Sequence, residues 1–298
     1  MISKDPTRIA ALVDAINGNH GTRYELLGKM ERGVNGAWLL KSDGGVKHIL
    51  KLVAPTDTTA HIKLTACCAE IVNGPDSRCP KYEQIGFTPD LGTWYIQEFL
   101  PGIPAPWPSL ELVSQLIELN RRQEGRSLGE GYNWSQTVRE VLYADSRKWL
   151  QRIAAHSLEG AALVHRVRSM LAAFCDFAAS DRDVVHGDFQ HYNALVAHDS
   201  EQLTGYVDWD GAGFGDRAFD LARLLYDVYV GELECGYVID PQTVAQLKTE
   251  IVKVSGRAGL CVYMAYWILQ VADFGVQIGD TKKFFQTGNR ILDELLSV

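Results

Sequence analysis

At 298 residues, with 46% hydrophobic and 22% charged side chains, the chain has the composition of a globular protein rather than a disordered one. Its net charge of −8 is a poor match for nucleic acid, whose phosphates need a basic surface. The start, Met1-Ile2-Ser3-Lys4-Asp5-Pro6, lacks an apolar signal core and no unbroken apolar run reaches the ~18 residues of a membrane span, so a cytoplasmic protein without a membrane partner is expected.

Apolar residues at Ile9, Leu12, Val13 and Ile16, after Asp5-Pro6, predict an amphipathic helix over 7–16. Strand patterns follow at 24–30, 37–41 and 46–53, the last after the turn signal Asp43-Gly44-Gly45. A helix over 60–72 ends near Asn73-Gly74-Pro75, and strands at 81–86 and 93–99 flank the turn at 88–92. Cys67-Cys68 falls on that helix, where packing is the expected role, and the six cysteines form no repeated zinc pattern. The Pro- and Gly-rich run 100–108 breaks the pattern. Beyond it, helical periodicity predicts helices at 110–123, 136–155, 158–179, 217–230, 243–254, 259–275 and 282–296. This β-rich then α-rich order predicts a bilobal α+β protein, with a small sheet-based N-lobe over 1–100 and a helical C-lobe over 101–298.

The most informative run is His186-Gly187-Asp188-Phe189-Gln190-His191-Tyr192-Asn193, followed twenty residues after Asp188 by Asp208-Trp209-Asp210 at the end of a short apolar strand. Phosphoryl transfer from ATP needs a carboxylate to orient an attacking hydroxyl and oxygen ligands for magnesium. Asp188 suits the first role, and Asn193 and Asp208 suit the second, because Mg2+ prefers oxygen ligands and is usually held by one or two carboxylates plus substrate phosphates. The spacing is that of the kinase catalytic loop with glycine in place of arginine.

H-G-D-x-x-x-x-N followed by D-W-D resembles the aminoglycoside phosphotransferase family, the small-molecule branch of the kinase-like fold. Gly215-Asp216-Arg217-Ala218-Phe219-Asp220-Leu221-Ala222 extends the likeness. The resemblance implies a protein-kinase-like fold, ATP (or GTP) and Mg2+ as cofactors, and a small hydroxylated substrate; whether the protein is a monomer or a dimer stays open. It implies that Asp208 stands where kinases keep their metal-binding aspartate, that His186 buttresses the loop, and that Asp220 braces the loop's backbone N–H groups.

On the nucleotide side, Lys51 shares a strand face with Ile49 and Val53, a costly place for an ammonium unless it is paired or functional. Kinases use such a lysine on the α/β-phosphates, paired with a helix glutamate, and Glu70 is the only acid in the following helix. Gly33, Asn35 and Gly36 lie between two predicted strands and are candidate phosphate contacts by resemblance, although the loop departs from G-x-G-x-x-G. By the same resemblance the backbone of Glu98 and Leu100 would read the base.

Residues 1–100 hold 11 acids and 11 bases, so the whole negative excess lies beyond them, and nine acids face only Arg217 and Arg223 within 201–240. Such a half would attract cationic substrates; solvated acidic helix faces are the other reading. Candidate acceptor-binding residues are Asp210 (or a metal role), His191, Asp216 (or a helix cap), Glu232, Glu234 and Asp273. The expected activity is ATP-dependent phosphorylation of a cationic antibiotic hydroxyl, on an aminoglycoside or a basic peptide such as a tuberactinomycin, giving resistance. A kinase for a choline-like or sugar metabolite is the alternative. A non-catalytic pseudokinase would need a missing Lys, Asp or Asn, and all are present.

Overall fold

The structure, a computed structural model, describes residues 5–30, 36–53, 58–74, 78–129, 131–236, 238 and 240–297, with the backbone alone at 232–235. Helix α1 (Pro6–His20) starts on an Asp5 cap that accepts from the Thr7 N–H at 3.0 Å, with proline in the first turn where no donor is needed. It stops at Gly21, whose φ of +64° suits glycine. Its Ile9, Leu12, Val13 and Ile16 bury against one face of an antiparallel sheet of order β1-β2-β3-β5-β4. The strands are β1 (Glu25–Lys29), β2 (Ala37–Lys41), β3 (Lys47–Leu52), β4 (Tyr82–Thr88) and β5 (Gly92–Glu98).

Strand alternation then sorts β3. Leu50 and Leu52 point to α1, while Val53 joins Tyr95 and Ile62 on the opposite face, beneath helix α2 (Thr59–Val72). Lys51 lies opposite Tyr95 in the β3–β5 register. Both residues therefore point away from the α1 core, toward the catalytic elements.

After the short strand β6 (Ile103–Pro104), helices take over: α3 (Leu110–Arg121), α4 (Trp134–Ala144), α5 (Trp149–His156) and α6 (Leu158–Ala172). The single helix expected over 136–155 is two, because Asp145 and Lys148 adopt left-handed φ values of 49° and 57°. The Asp145 carboxylate accepts from the N–H groups of Leu150 and Gln151 at 3.0 and 3.2 Å, starting the second helix. Helix α7 (Ala218–Cys235) packs on α8 (Pro241–Ile278), and α9 (Lys282–Leu296) closes the layer. α8 is interrupted at Gly256 (φ 68°, ψ 177°), so the two helices expected there are joined end to end. α8 contains a stretch long and apolar enough to cross a membrane, yet 78% of it is buried within the protein.

Short strands carry the functional turns. β7 (Asp183–Val185) pairs with β10 (Gly213–Gly215), and β8 (Ala194–Val196) pairs with both β6 and β9 (Leu203–Tyr206). The fold is the mixed, kinase-like arrangement that the sequence implies: a β-rich N-terminal sheet followed by a mainly helical C-terminal part.

Candidate active site

The catalytic loop leaves β7 at Val185 and is fixed from behind. Fully buried Asp220, in the first turn of α7, accepts from the His186 N–H at 2.7 Å, the Gly187 N–H at 2.9 Å and Gln123 Nε2 at 2.8 Å. Burial pushes its carboxyl up to about 7 against the pull of these donors. His186 is also fully buried, and burial holds its pKa below the ordinary value. A neutral ring fits its neighbours: Nε2 faces the Val207 carbonyl at 3.1 Å and Nδ1 accepts from the Asp188 N–H at 3.2 Å. With its ring edge-on to Phe189, Tyr206 and Trp209, His186 braces the loop. Gly187 has φ +84°, and a Cβ there would run into the Gly211 carbonyl and Trp134, which accounts for glycine in this loop.

Asp188 is thereby presented with its side chain 41% exposed. One carboxylate oxygen accepts from Arg223 Nε at 3.2 Å and the other from Gln190 Nε2 at 2.8 Å. Asn193 closes the loop by donating Nδ2 to the Asp188 carbonyl at 2.9 Å. Tyr206, on β9, ties the loop down by donating to the Gln190 carbonyl at 3.1 Å.

Asp208 follows β9 in a left-handed conformation (φ 67°, ψ 51°), a region aspartate tolerates better than most residues. Its Oδ1 accepts from Lys51 Nζ at 2.6 Å, and Asp210 Oδ2 accepts from the same ammonium at 3.0 Å. Burial opposes the charge on Lys51, but the two carboxylates outweigh it and raise its pKa. Burial likewise works against ionised Asp208, and the Lys51 charge still holds it below its ordinary value. Asp210 is bound further: its other oxygen accepts from the Tyr95 hydroxyl, and its carbonyl lies 2.7 Å from His61 Nε2.

Among the described residues no group of three His, Cys, Asp or Glu side chains could hold a metal by itself. Asp208 and Asn193 nevertheless fit magnesium. Both offer hard oxygen, the Asp208 side chain is 45% exposed, and two protein oxygens plus nucleotide phosphates make a normal Mg2+ set.

Several expected site residues sit elsewhere. Glu70 is exposed on α2 and does not pair with Lys51. It lies nine residues from His61, the α2 residue that reaches the site, and at ~100° per residue that is half a turn out of phase. Glu70 lines a hollow with Lys81, Tyr82 and Glu98 instead. Asp210 serves the Lys51 cluster rather than an acceptor surface. Asp216 is a buried cap, accepting from the Ala218 N–H at 2.9 Å, Ser255 Oγ at 2.6 Å and Tyr263 OH at 2.8 Å. His191 is fully buried against Asp227, which also accepts its N–H at 2.9 Å, so it does not line an open acceptor site. Buried Asp273 is gripped by Arg152 Nε at 2.7 Å and Nη2 at 2.8 Å, and by Gln277 at 2.6 Å.

Gly33 and Asn35 lie outside the described residues, as do the side chains of Glu232 and Glu234. Gly36 is described, with φ +73° just before β2. Glu98 ends β5, with its N–H on the Lys81 carbonyl at 2.8 Å, and buried Leu100 follows. His61, Tyr95, Gln190 and Arg223 are the site residues that motif spacing missed. Tyr95 was findable as the partner of Lys51 in neighbouring strands, and Arg223 as a cation one helical turn beyond Asp220.

The acid-rich segment 201–240 also changes meaning. Asp208 and Asp210 face Lys51, Asp216 caps, Asp220 braces the loop and Asp227 holds His191. Asp240 caps α8 through the Gln242 N–H at 2.9 Å, and Glu201 accepts from Ser109 at 2.7 Å. All seven described carboxylates hold partners within the fold, so they do not form a free anionic lining.

Comparison with known proteins agrees with this fold. The chain superposes on the aminoglycoside phosphotransferase APH(4)-Ia with a TM-score of 0.71 at 15% identity, covering 97% of this chain and 98% of that one. A thermostable mutant of the same enzyme, in a ternary complex with AMP-PNP and hygromycin B, gives 0.69 at 15% identity, with 96% and 97% covered. A putative aminoglycoside phosphotransferase from Ralstonia eutropha JMP134 gives 0.64 at 11% identity, with 97% and 98% covered. No curated protein sequence matches. The family model for the phosphotransferase enzyme family (APH) matches residues 38–240, from β2 through the catalytic loop and α7, and the chain belongs to that family.

Proposed function

We propose that this phosphotransferase moves the γ-phosphoryl group of ATP, with Mg2+, to a hydroxyl of a small molecule. The observation that carries the reading is the convergence of Asp188, Asn193, Asp208 and Lys51 from three separate stretches of chain, joined by the Asn193–Asp188 and Lys51–Asp208 bonds. Mg2+, when bound, would supply positive charge against the phosphates. Asp208 and the Asn193 amide oxygen would hold it. Lys51, already between two carboxylates, would turn its ammonium to the phosphates when nucleotide enters. Asp188 would accept a hydrogen bond from the acceptor hydroxyl and align it; a loose transition state needs little early proton abstraction, so alignment is its main work.

For the acceptor, the first candidates are aminoglycosides, then basic peptide antibiotics, with resistance by modification as the biological result. The support is the likeness to a structure that holds hygromycin B beside a nucleotide analogue. Charge adds little, because the described acids of 201–240 have partners within the fold. A metabolite kinase acting on a sugar or a choline-like alcohol is the second reading, and that same engagement of the carboxylates favours the neutral sugar. The test is a panel of aminoglycosides, basic peptides, sugars and amino alcohols incubated with ATP or GTP and Mg2+. A mass gain of one phosphoryl group on one class identifies the acceptor. ADP release with no modified compound in any class would count against transfer to a small hydroxyl.

A further inference from the structure

The catalytic loop, residues 186–196, contains no lysine or arginine. The cation beside its carboxylate comes from elsewhere, from Arg223 on α7. Asp220 and Arg223 are three residues apart on that helix and so share a face. The first binds the loop's backbone and the second its reactive side chain.

Arg223 is held in one orientation. Its Nε reaches Asp188 Oδ1 at 3.2 Å, and its Nη2 reaches Gln190 Oε1 at 2.6 Å. Gln190 in turn donates to the other Asp188 oxygen at 2.8 Å, so three side chains close a ring. The guanidinium lies 5.1 Å over the Trp267 ring, and Trp267 is itself fixed by donating to the Phe219 carbonyl at 3.2 Å. A planar guanidinium with several fixed donors can brace a carboxylate and a neighbouring amide together in a way a single ammonium cannot.

Stability alone does not explain the arrangement. The Arg223 side chain is 14% exposed and Asp188 is 41% exposed. An ion pair with one partner this open adds little to folding, while removing a guanidinium from water is costly. What the arrangement does achieve is a fixed direction for both Asp188 oxygens. Angular placement of the group that aligns a nucleophile is worth orders of magnitude in rate.

We propose that Arg223 is a positioning residue for phosphoryl transfer: with Gln190 and Trp267 as its supports, it orients Asp188 and supplies the positive charge that the catalytic loop lacks. The inference rests on the phosphotransferase reading. It predicts an effect on turnover without an effect on nucleotide affinity, because Lys51, Asp208 and Asn193 do not touch Arg223.

The experiment uses the full chain with MgATP, with water as the acceptor, measured as ADP release, beside ATP affinity by calorimetry. Arg223→Met should lower turnover by roughly tenfold or more, the scale of a lost orienting contact, with the ATP Kd unchanged. Arg223→Lys should recover part of the rate, and Gln190→Ala should act in the same direction but more weakly. In an Asp188→Asn background, Arg223→Met should have no further effect, since it acts through that carboxylate. Equal fractional losses in both backgrounds would overturn the proposal, as would a weakened ATP Kd with unchanged turnover at saturating ATP. Should Arg223→Met fail to fold, the Arg223→Lys cycle with Asp188→Asn makes the same comparison. A wild type that releases no ADP with water or with any hydroxylated compound would refute the phosphotransferase reading itself, a result distinct from either.

Discussion

Lys51 donates to Asp208 across 2.6 Å, linking strand β3 of the N-terminal sheet to the turn after β9. Asp210 takes a second bond from the same ammonium at 3.0 Å and is held in place by Tyr95 and His61. The partner that kinases draw from a helix glutamate is therefore drawn here from the D-W-D turn, and the two halves of the site are joined through one cation.

Lys51→Met should weaken ATP binding by roughly tenfold to a hundredfold, the scale of one or two charge-assisted hydrogen bonds. Glu70→Gln should leave ATP binding within about twofold, since Glu70 lies half a turn away on α2. Calorimetry on both variants decides between Asp210 and Glu70 as the lysine's working partner. A Glu70→Gln loss as large as that of Lys51→Met would restore the helix glutamate.

Asp188→Asn should lower turnover by about 10²–10⁴-fold while ATP still binds, because the nucleotide contacts assigned here lie on other elements. Single-turnover ADP formation beside nucleotide affinity makes the measurement. Near-wild-type turnover would remove Asp188 from the mechanism.

Removal of metal should abolish turnover, and titrating Mg2+ back should restore it in the wild type. Asp208→Ala should lose magnesium-dependent nucleotide binding and activity together. Asn193→Ala should need more Mg2+ for half-maximal rate but keep some activity, since a neutral amide supplies less charge than a carboxylate. An unchanged magnesium requirement in Asp208→Ala would contradict the assignment.

Asp220 makes stability depend on pH. Its carboxyl is pushed by burial from an ordinary 3.8 up to about 7, so between those values the folded chain holds a proton that the unfolded chain has released. That contribution is complete below about pH 4 and disappears as pH rises through about 7. Asp220→Asn lacks it. The stability of wild type relative to the variant should therefore fall by on the order of 1 kcal/mol per pH unit between pH 5 and 7, measured by urea unfolding. A difference that is flat or grows with pH would show that Asp220 is ionised throughout.

Much of the site was legible because its parts lie close together in the chain. Asp188 and Asn193 share a loop, Asp208 follows the β8–β9 hairpin that comes next, and strand alternation alone brings Lys51 to the face of the catalytic elements. Helix phase was less legible. Glu70 looked right by residue type, and only the observed phase of α2 shows that His61 faces the site instead. The breaks at Asp145 and Lys148 were hidden because apolar spacing continues across them. The acidic run at 201–240 misled for a different reason: composition records charge but not partners, and buried caps and braces carry the same letters as an open surface.

Gly187 and Gly211 bring two functional turns into backbone contact, with no room for a side chain on Gly187. The spacing between Asp188 and Asp208 is thus set by main chain against main chain rather than by adjustable side chains. Opening or closing of the sheet over the nucleotide would move Lys51, but Asp188, Asn193 and Asp208 would travel together as one unit. Gly187→Ala, by prising those turns apart, should slow transfer even though alanine adds no charge and removes no hydrogen-bonding group.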